Sequence, residues 1–85
     1  MTVVPLSSLK QGRKGVVQSI LAGRGATRRL LDLGITPGQE VEVLQSGPFL
    51  GPIRVRVRGS DMAIGRGIAT RILVEITEDD SQANG

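Results

Sequence analysis

Side chains that could do chemistry are few in this chain. Its 85 residues include no histidine and no cysteine. That removes the imidazole that most often serves as a general base near neutral pH, and the thiolate that is the best side-chain nucleophile. Serines and threonines are present, but none stands in a G-x-S-x-G nucleophile elbow. The carboxylates Asp32, Glu40, Glu42, Asp61 and Glu75 fall at a helix end or along strands, where a solvated surface role accounts for them. The sequence predicts no catalytic residue and no enzyme.

Metal and phosphate chemistry are equally poorly served. First-row divalent metals are commonly held by imidazole together with oxygen ligands. Here the donors reduce to carboxylates, hydroxyls, carbonyls, the amino terminus and the weak thioethers of Met1 and Met62. The run Glu78-Asp79-Asp80 would hold a divalent ion only loosely, and solvation of a polar tail explains it better. No tight metal site and no cofactor are expected. Ala22-Gly23-Arg24-Gly25 lacks the G-x-x-x-x-G-K-[ST] pattern of a phosphate loop, and Gly65-Arg66-Gly67 completes no G-x-G-x-x-G. Both glycine-rich stretches read as backbone geometry.

What remains is chemistry by contact. Net charge is +3, from 11 Lys and Arg against 8 Asp and Glu. Three of the acids, Glu78, Asp79 and Asp80, lie in the closing TEDDSQANG, so the body is more basic than the whole. A basic body invites acidic partners: nucleic acid, anionic head groups or an acidic protein face. Phe49 is the sole aromatic residue, and single-stranded nucleic acid is usually held on aromatic stacking platforms. No nucleic-acid partner is expected. The chain has no apolar run long enough to span a bilayer. MTVVPLSSLK lacks the pattern of a secretory signal, so a cytoplasmic location is the default expectation.

The elements that must position any contact surface centre on ATRRLLDLGITPGQEVEVL, residues 26–44. Ala26, Leu30 and Leu33 recur at helical spacing and predict a short helix over about 26–33, with Arg28, Arg29 and Asp32 off its apolar face. Gly34 is the expected left-handed cap, and Ile35 the residue that returns an apolar contact to Leu30. Thr36 precedes Pro37 and is pushed to extended geometry. Pro37-Gly38 suits a type II turn. Strands are expected over Val16–Leu21, Gln39–Gln45, Ile53–Arg58, Met62–Ile64 and Arg71–Ile76, with Met1–Val4 an optional edge. Ser7 or Ser8 can cap a helical turn before Leu9, Gly59-Ser60-Asp61 is a turn, and a further helical turn runs through Ile68 and Ala69. Ile53, Val55 and Val57 alternate with Arg54, Arg56 and Arg58, whose plain reading is a charge-paired face opposite Glu40 and Glu42. The fold class is mainly β: five short strands in a small closed barrel, one short helix and short helical turns. Residues 1–76 form one domain, followed by a disordered acidic tail over 77–85.

LLDLGITPGQEVEVL resembles the signature of the ferrous iron transport protein A (FeoA) family, with further likeness in PLSSLKQGRKGVV, GPFLGPIRVRVRG and MAIGRGIATRILVEI. The resemblance covers Pro5 to Ile76. It implies an SH3-like barrel with the helix packed on it. It also implies a small accessory or regulatory protein of ferrous iron uptake, acting by contact with the cytoplasmic part of the membrane GTPase FeoB. Such a protein would be peripheral to the inner face of the membrane through that partner. Self-association is left open by the residues. Three alternatives are a nucleic-acid-binding barrel, a weak transition-metal-binding regulatory domain and a proline-peptide SH3 module. The last needs an aromatic-lined groove that one Phe cannot supply.

Two patches are candidates for partner binding. Pro48, Phe49 and Leu50 form the apolar tip of a hairpin loop closed by Pro52; on burial tendencies alone they could equally close one end of the barrel. The family resemblance favours a contact there, with Arg28 and Arg29 on the helix as the second patch.

Overall fold

Alternation in the sequence becomes six antiparallel strands. The computed structural model describes residues 2–46 and 51–76. The strands are β1 (Thr2–Pro5), β2 (Lys14–Ile20), β3 (Glu40–Ser46), β4 (Ile53–Val57), β5 (Ser60–Ile64) and β6 (Ile72–Ile76), ordered β1-β6-β2-β3-β4-β5. Helix α1 spans Arg24–Asp32, a 3-10 turn Leu6–Ser8, and the one-turn α2 Arg66–Ala69. The mainly β expectation holds, with one correction to the strand count. The apolar lead is a sixth strand, because β6 has two hydrogen-bonding edges: β2 takes one and β1 the other, through Val4↔Val74 and Val3↔Glu75. Hydrogen bonding leaves β1 and β5 as the two ends of an open sheet rather than closing a ring. Leu6 and Leu9 around the 3-10 turn and Ala69 of α2 join the buried core, so side chains complete what ladder bonds do not.

The inward set is the one that strand periodicity dictates. Ile53, Val55 and Val57 of β4 are buried, with Val41 and Val43 of β3 and Ile72 and Val74 of β6. Ser7 and Ser8 sit inside the 3-10 turn, and Pro5 precedes it with no side-chain capping bond, so neither serine is a cap. The hairpin from β4 to β5 turns at Arg58-Gly59, one residue earlier than expected, because Val57 pairs with Ser60. Both turn residues have positive φ, 53° and 81°. That is the type I′ geometry that matches the natural twist of a two-residue hairpin.

The helix stop is closed by a Schellman arrangement. Gly34 N–H donates to Leu31 O at 3.0 Å and Ile35 N–H donates to Leu30 O at 3.0 Å. Gly34 has φ 93°, and Leu30 and Ile35 are both buried. The next turn is also as expected: Gln39 N–H donates to Thr36 O at 2.9 Å, with φ 93° at Gly38. Leu33 departs from expectation. It is the C-cap residue rather than part of the inner face, and is 48% exposed. Gly34→Ala is expected to destabilise the fold by about 1 kcal/mol, since an added Cβ disfavours positive φ. The new Cβ would also stand 3.3 Å from Cδ of Arg58, a flexible side chain that can shift. A thermal melt checks this: an unchanged midpoint would refute strain at the cap.

Candidate protein-docking site

A helix this short is held by what it buries. Leu30 is the buried residue of α1, and Ala26 and Thr27 are half-buried. Gly23 offers no side-chain cap at the N-terminus. Thr27 donates its hydroxyl hydrogen to Ala22 O at 3.0 Å, which ties the first turn to the chain entering it without capping its free N–H groups. The 100° step between successive residues then places Arg24, Thr27, Arg28 and Leu31 along one flank. That flank borders an open groove of about 590 Å³ lined by Ala22, Arg24, Thr27, Arg28, Leu31 and Asp32. Leu31 is 42% exposed on the groove and Leu21, just beyond β2, is 60% exposed.

The cations around this groove are not consumed within the fold. Among the described residues, no hydrogen bond or ion pair engages the side chains of Arg24, Arg28 or Arg29, and all three are exposed. The first turn of α1 carries no acidic residue, so its positive dipole end is also unanswered. Arg28 and Arg29, read as one patch in the sequence, take different positions: Arg28 lines the groove, whereas Arg29 lies outside its lining. The other expected contact, Pro48, Phe49 and Leu50, lies outside the described residues, as does the tail 77–85.

The Arg stripe of β4 is organised differently. Strand register sets Lys14 of β2 beside Glu42 of β3, Glu42 beside Arg56 of β4, and Arg56 beside Asp61 of β5. Charges therefore alternate across four strands, which is the favourable cross-strand order. Arg56 Nε donates to Asp61 Oδ1 at 2.8 Å, and Nη2 approaches Oδ2 at 3.5 Å. The hydrogen bond from Arg56 holds the Asp61 carboxyl below its ordinary range, and the same bond raises the Arg56 guanidinium. A depressed carboxylate adds stability above its unfolded pKa, and that contribution is lost as pH falls through the folded value. We expect the Asp61 carboxyl to titrate by NMR below a free aspartate, and Arg56→Gln to return it towards the ordinary value; an unshifted midpoint would refute the pair in solution.

Sequence reasoning did not single out Leu21 and Leu31. A signal for Leu31 was present: Leu30, Leu31 and Leu33 crowd four positions of a helix whose inner face, set by Ala26 and Leu30, cannot hold all three. Leu21 gave none, because it continued an apolar strand. Among the described residues no group of three or more His, Cys, Asp or Glu could hold a metal ion, and no helix is long and apolar enough to cross a membrane.

Comparisons with known proteins bear on this geometry. A family model described as the FeoA domain matches residues 4–76. A putative Fe(2+) transport protein A of Methanocaldococcus jannaschii is 40% identical over 74 residues, covering 87% of this chain and 88% of that one. An Fe(2+) transport protein A/Fe(2+) transporter FeoB fusion protein of Porphyromonas gingivalis is 29% identical over 80 residues, covering 93% of this chain and 9% of the fusion. A crystal structure of an iron uptake regulatory protein, FeoA, aligns with TM-score 0.81 and 43% identity over 91% of this chain and all of that one. Stenotrophomonas maltophilia FeoA complexed with zinc, described as a procaryotic SH3 domain protein, aligns with TM-score 0.73 and 30% identity over 88% and 91% of the two chains.

Proposed function

This chain belongs to the FeoA family of ferrous iron transport, with the SH3-like fold of that family, and from that premise we propose that it is a small cytoplasmic accessory protein that acts by contact with a FeoB-type membrane GTPase. The observation that carries this reading is the relative in which transport protein A and the FeoB transporter are one polypeptide. Fusion holds the two domains at high local concentration, which rewards a working association between them. In this reading the FeoA-like domain meets that partner through its own surface. No catalytic or tight metal-holding residues are assigned: the chain contains neither histidine nor cysteine, and in this reading iron is the cargo of the partner.

The alternatives fit less well. A nucleic-acid surface would call on the Arg stripe of β4, yet Arg56 is engaged by Asp61 and flanked by Glu42. The zinc complex belongs to the Stenotrophomonas protein, and a zinc site is usually built from Cys, His and carboxylate donors, of which this chain has only carboxylates. The test is calorimetric titration of the whole chain into the cytoplasmic part of the FeoB-type transporter from the same cell, at several salt concentrations. Saturable 1:1 binding that weakens as salt rises is the expected result. No binding at 100 μM of each protein would overturn the assignment.

A further inference from the structure

We propose that the groove along α1 is a docking site for an acidic, apolar-anchored peptide segment, and, resting on the functional reading above, that this segment belongs to the cytoplasmic part of the FeoB-type partner. Three observations carry it. The groove of about 590 Å³ has Ala22, Thr27 and Leu31 in its lining, and Thr27 has already committed its hydroxyl to Ala22 O. Its polar edge thus comes from Arg24, Arg28 and Asp32. The side chains of Arg24 and Arg28 have no partner among the described residues, in contrast to Arg56, which the fold neutralises with Asp61. Finally, Leu31 lines the groove and keeps 42% of its surface exposed there.

Charge decides the occupant. Arg24 and Arg28 are four residues apart on a helix, so their stems rise about 6 Å apart. Carboxylates one turn apart on a facing helix, or two residues apart on an extended segment, have that spacing. The uncapped N-terminus of α1 adds attraction for negative charge at the Arg24 end. A second copy of the chain fits poorly. Antiparallel pairing of two α1 helices about a twofold axis near Arg28 would match Arg24 with Asp32, but would set Arg28 against itself at the centre. A flat anionic membrane fits poorly too. Leu31 and Leu33 are two residues apart and so about 200° apart around the helix, on either side of buried Leu30, and one plane cannot receive both. A segment lying in the groove needs only Leu31.

The test uses the intact chain and the same cytoplasmic part of the partner. Variants are Arg24→Glu with Arg28→Glu, Leu31→Ser alone, and Arg54→Glu, at an outward position of β4, as control. All four positions are exposed, and thermal melts verify that each variant folds as the parent does. Should the double reversal lower stability, Arg24→Gln with Arg28→Gln replaces it. The expected result is at least a tenfold rise in Kd for the Arg pair and for Leu31→Ser, with the control within twofold of the parent. Parent-like binding by the groove variants would overturn the groove while leaving the accessory function standing. A parent chain that does not bind would overturn both. Two further outcomes also overturn the peptide assignment: dimerisation in sedimentation that Leu31→Ser abolishes, or binding to vesicles containing phosphatidylserine that the Arg reversals abolish while partner binding survives.

Discussion

Ile35→Ala should lower the stability of this fold by about 2–5 kcal/mol, the largest loss we expect from a single truncation near α1. Ile35 has 0% exposure and is among the largest fully buried side chains of the described residues. It is also the second residue beyond the C-cap Leu33, with its N–H donated to Leu30 O at 3.0 Å. Its side chain therefore ties the helix stop into the core between the sheet and α1. Alanine removes three carbons, worth about 0.8 kcal/mol each in transfer from water. The space would not collapse readily, because core residues of the same buried cluster, such as Val41, Val43, Val55 and Val57, are held in the β3–β4 ladder. For a domain of this size each kcal/mol shifts the midpoint by about 4–8 °C, so the melt should fall by more than about 8 °C. Leu31→Ala, on the same helix but 42% exposed, should shift it far less. Equal shifts for the two would show that α1 is not clamped through Ile35.

Gly15→Ala is the second large effect, and it arises from space rather than from φ. Gly15 is buried in β2. A Cβ there would stand 3.1 Å from both Cβ and Cγ2 of Val74 and 3.3 Å from the carbonyl oxygen of Glu75. Val74 is fully buried in β6, which is paired on both edges, with β1 and β2. A β-branched side chain in that setting has little rotamer freedom. Overpacking of this kind costs about 1–3 kcal/mol; the entropy lost from the unfolded chain on replacing glycine offsets about 0.4–1 kcal/mol of it. The net expectation is a destabilisation read as a lower urea midpoint with an unchanged m-value. A midpoint equal to the parent's would mean that β6 can move away from β2 at no cost.

These two residues mark how far the chain could be read without its fold. Gly34, Ile35, Pro37 and Gly38 were legible because cap and turn chemistry is local: a residue that must take positive φ and the bonds that close around it lie within six positions. The inward set of β4 was legible for the same reason, since alternation is a property of one strand. The Arg28 and Arg29 pair was named as a second candidate patch beside the loop that the family resemblance favoured, from its place off the apolar face of the helix. Tertiary structure decided the rest. Val4 meets Val74 and Gly15 meets Ile76, pairings that no local propensity encodes, and they add the sixth strand and make Gly15 a point of close approach. Register, not composition, set Lys14, Glu42, Arg56 and Asp61 in one alternating row and so neutralised part of the stripe that looked most basic. Helical rotation separated Arg28 from Arg29 by 100°, and only the placement of Leu30 in the core determined which of them would border the groove. A short helix shows in sequence which residues repeat with its period. Which of its flanks stays open depends on what the sheet covers, and that is settled by contacts between residues far apart in the chain.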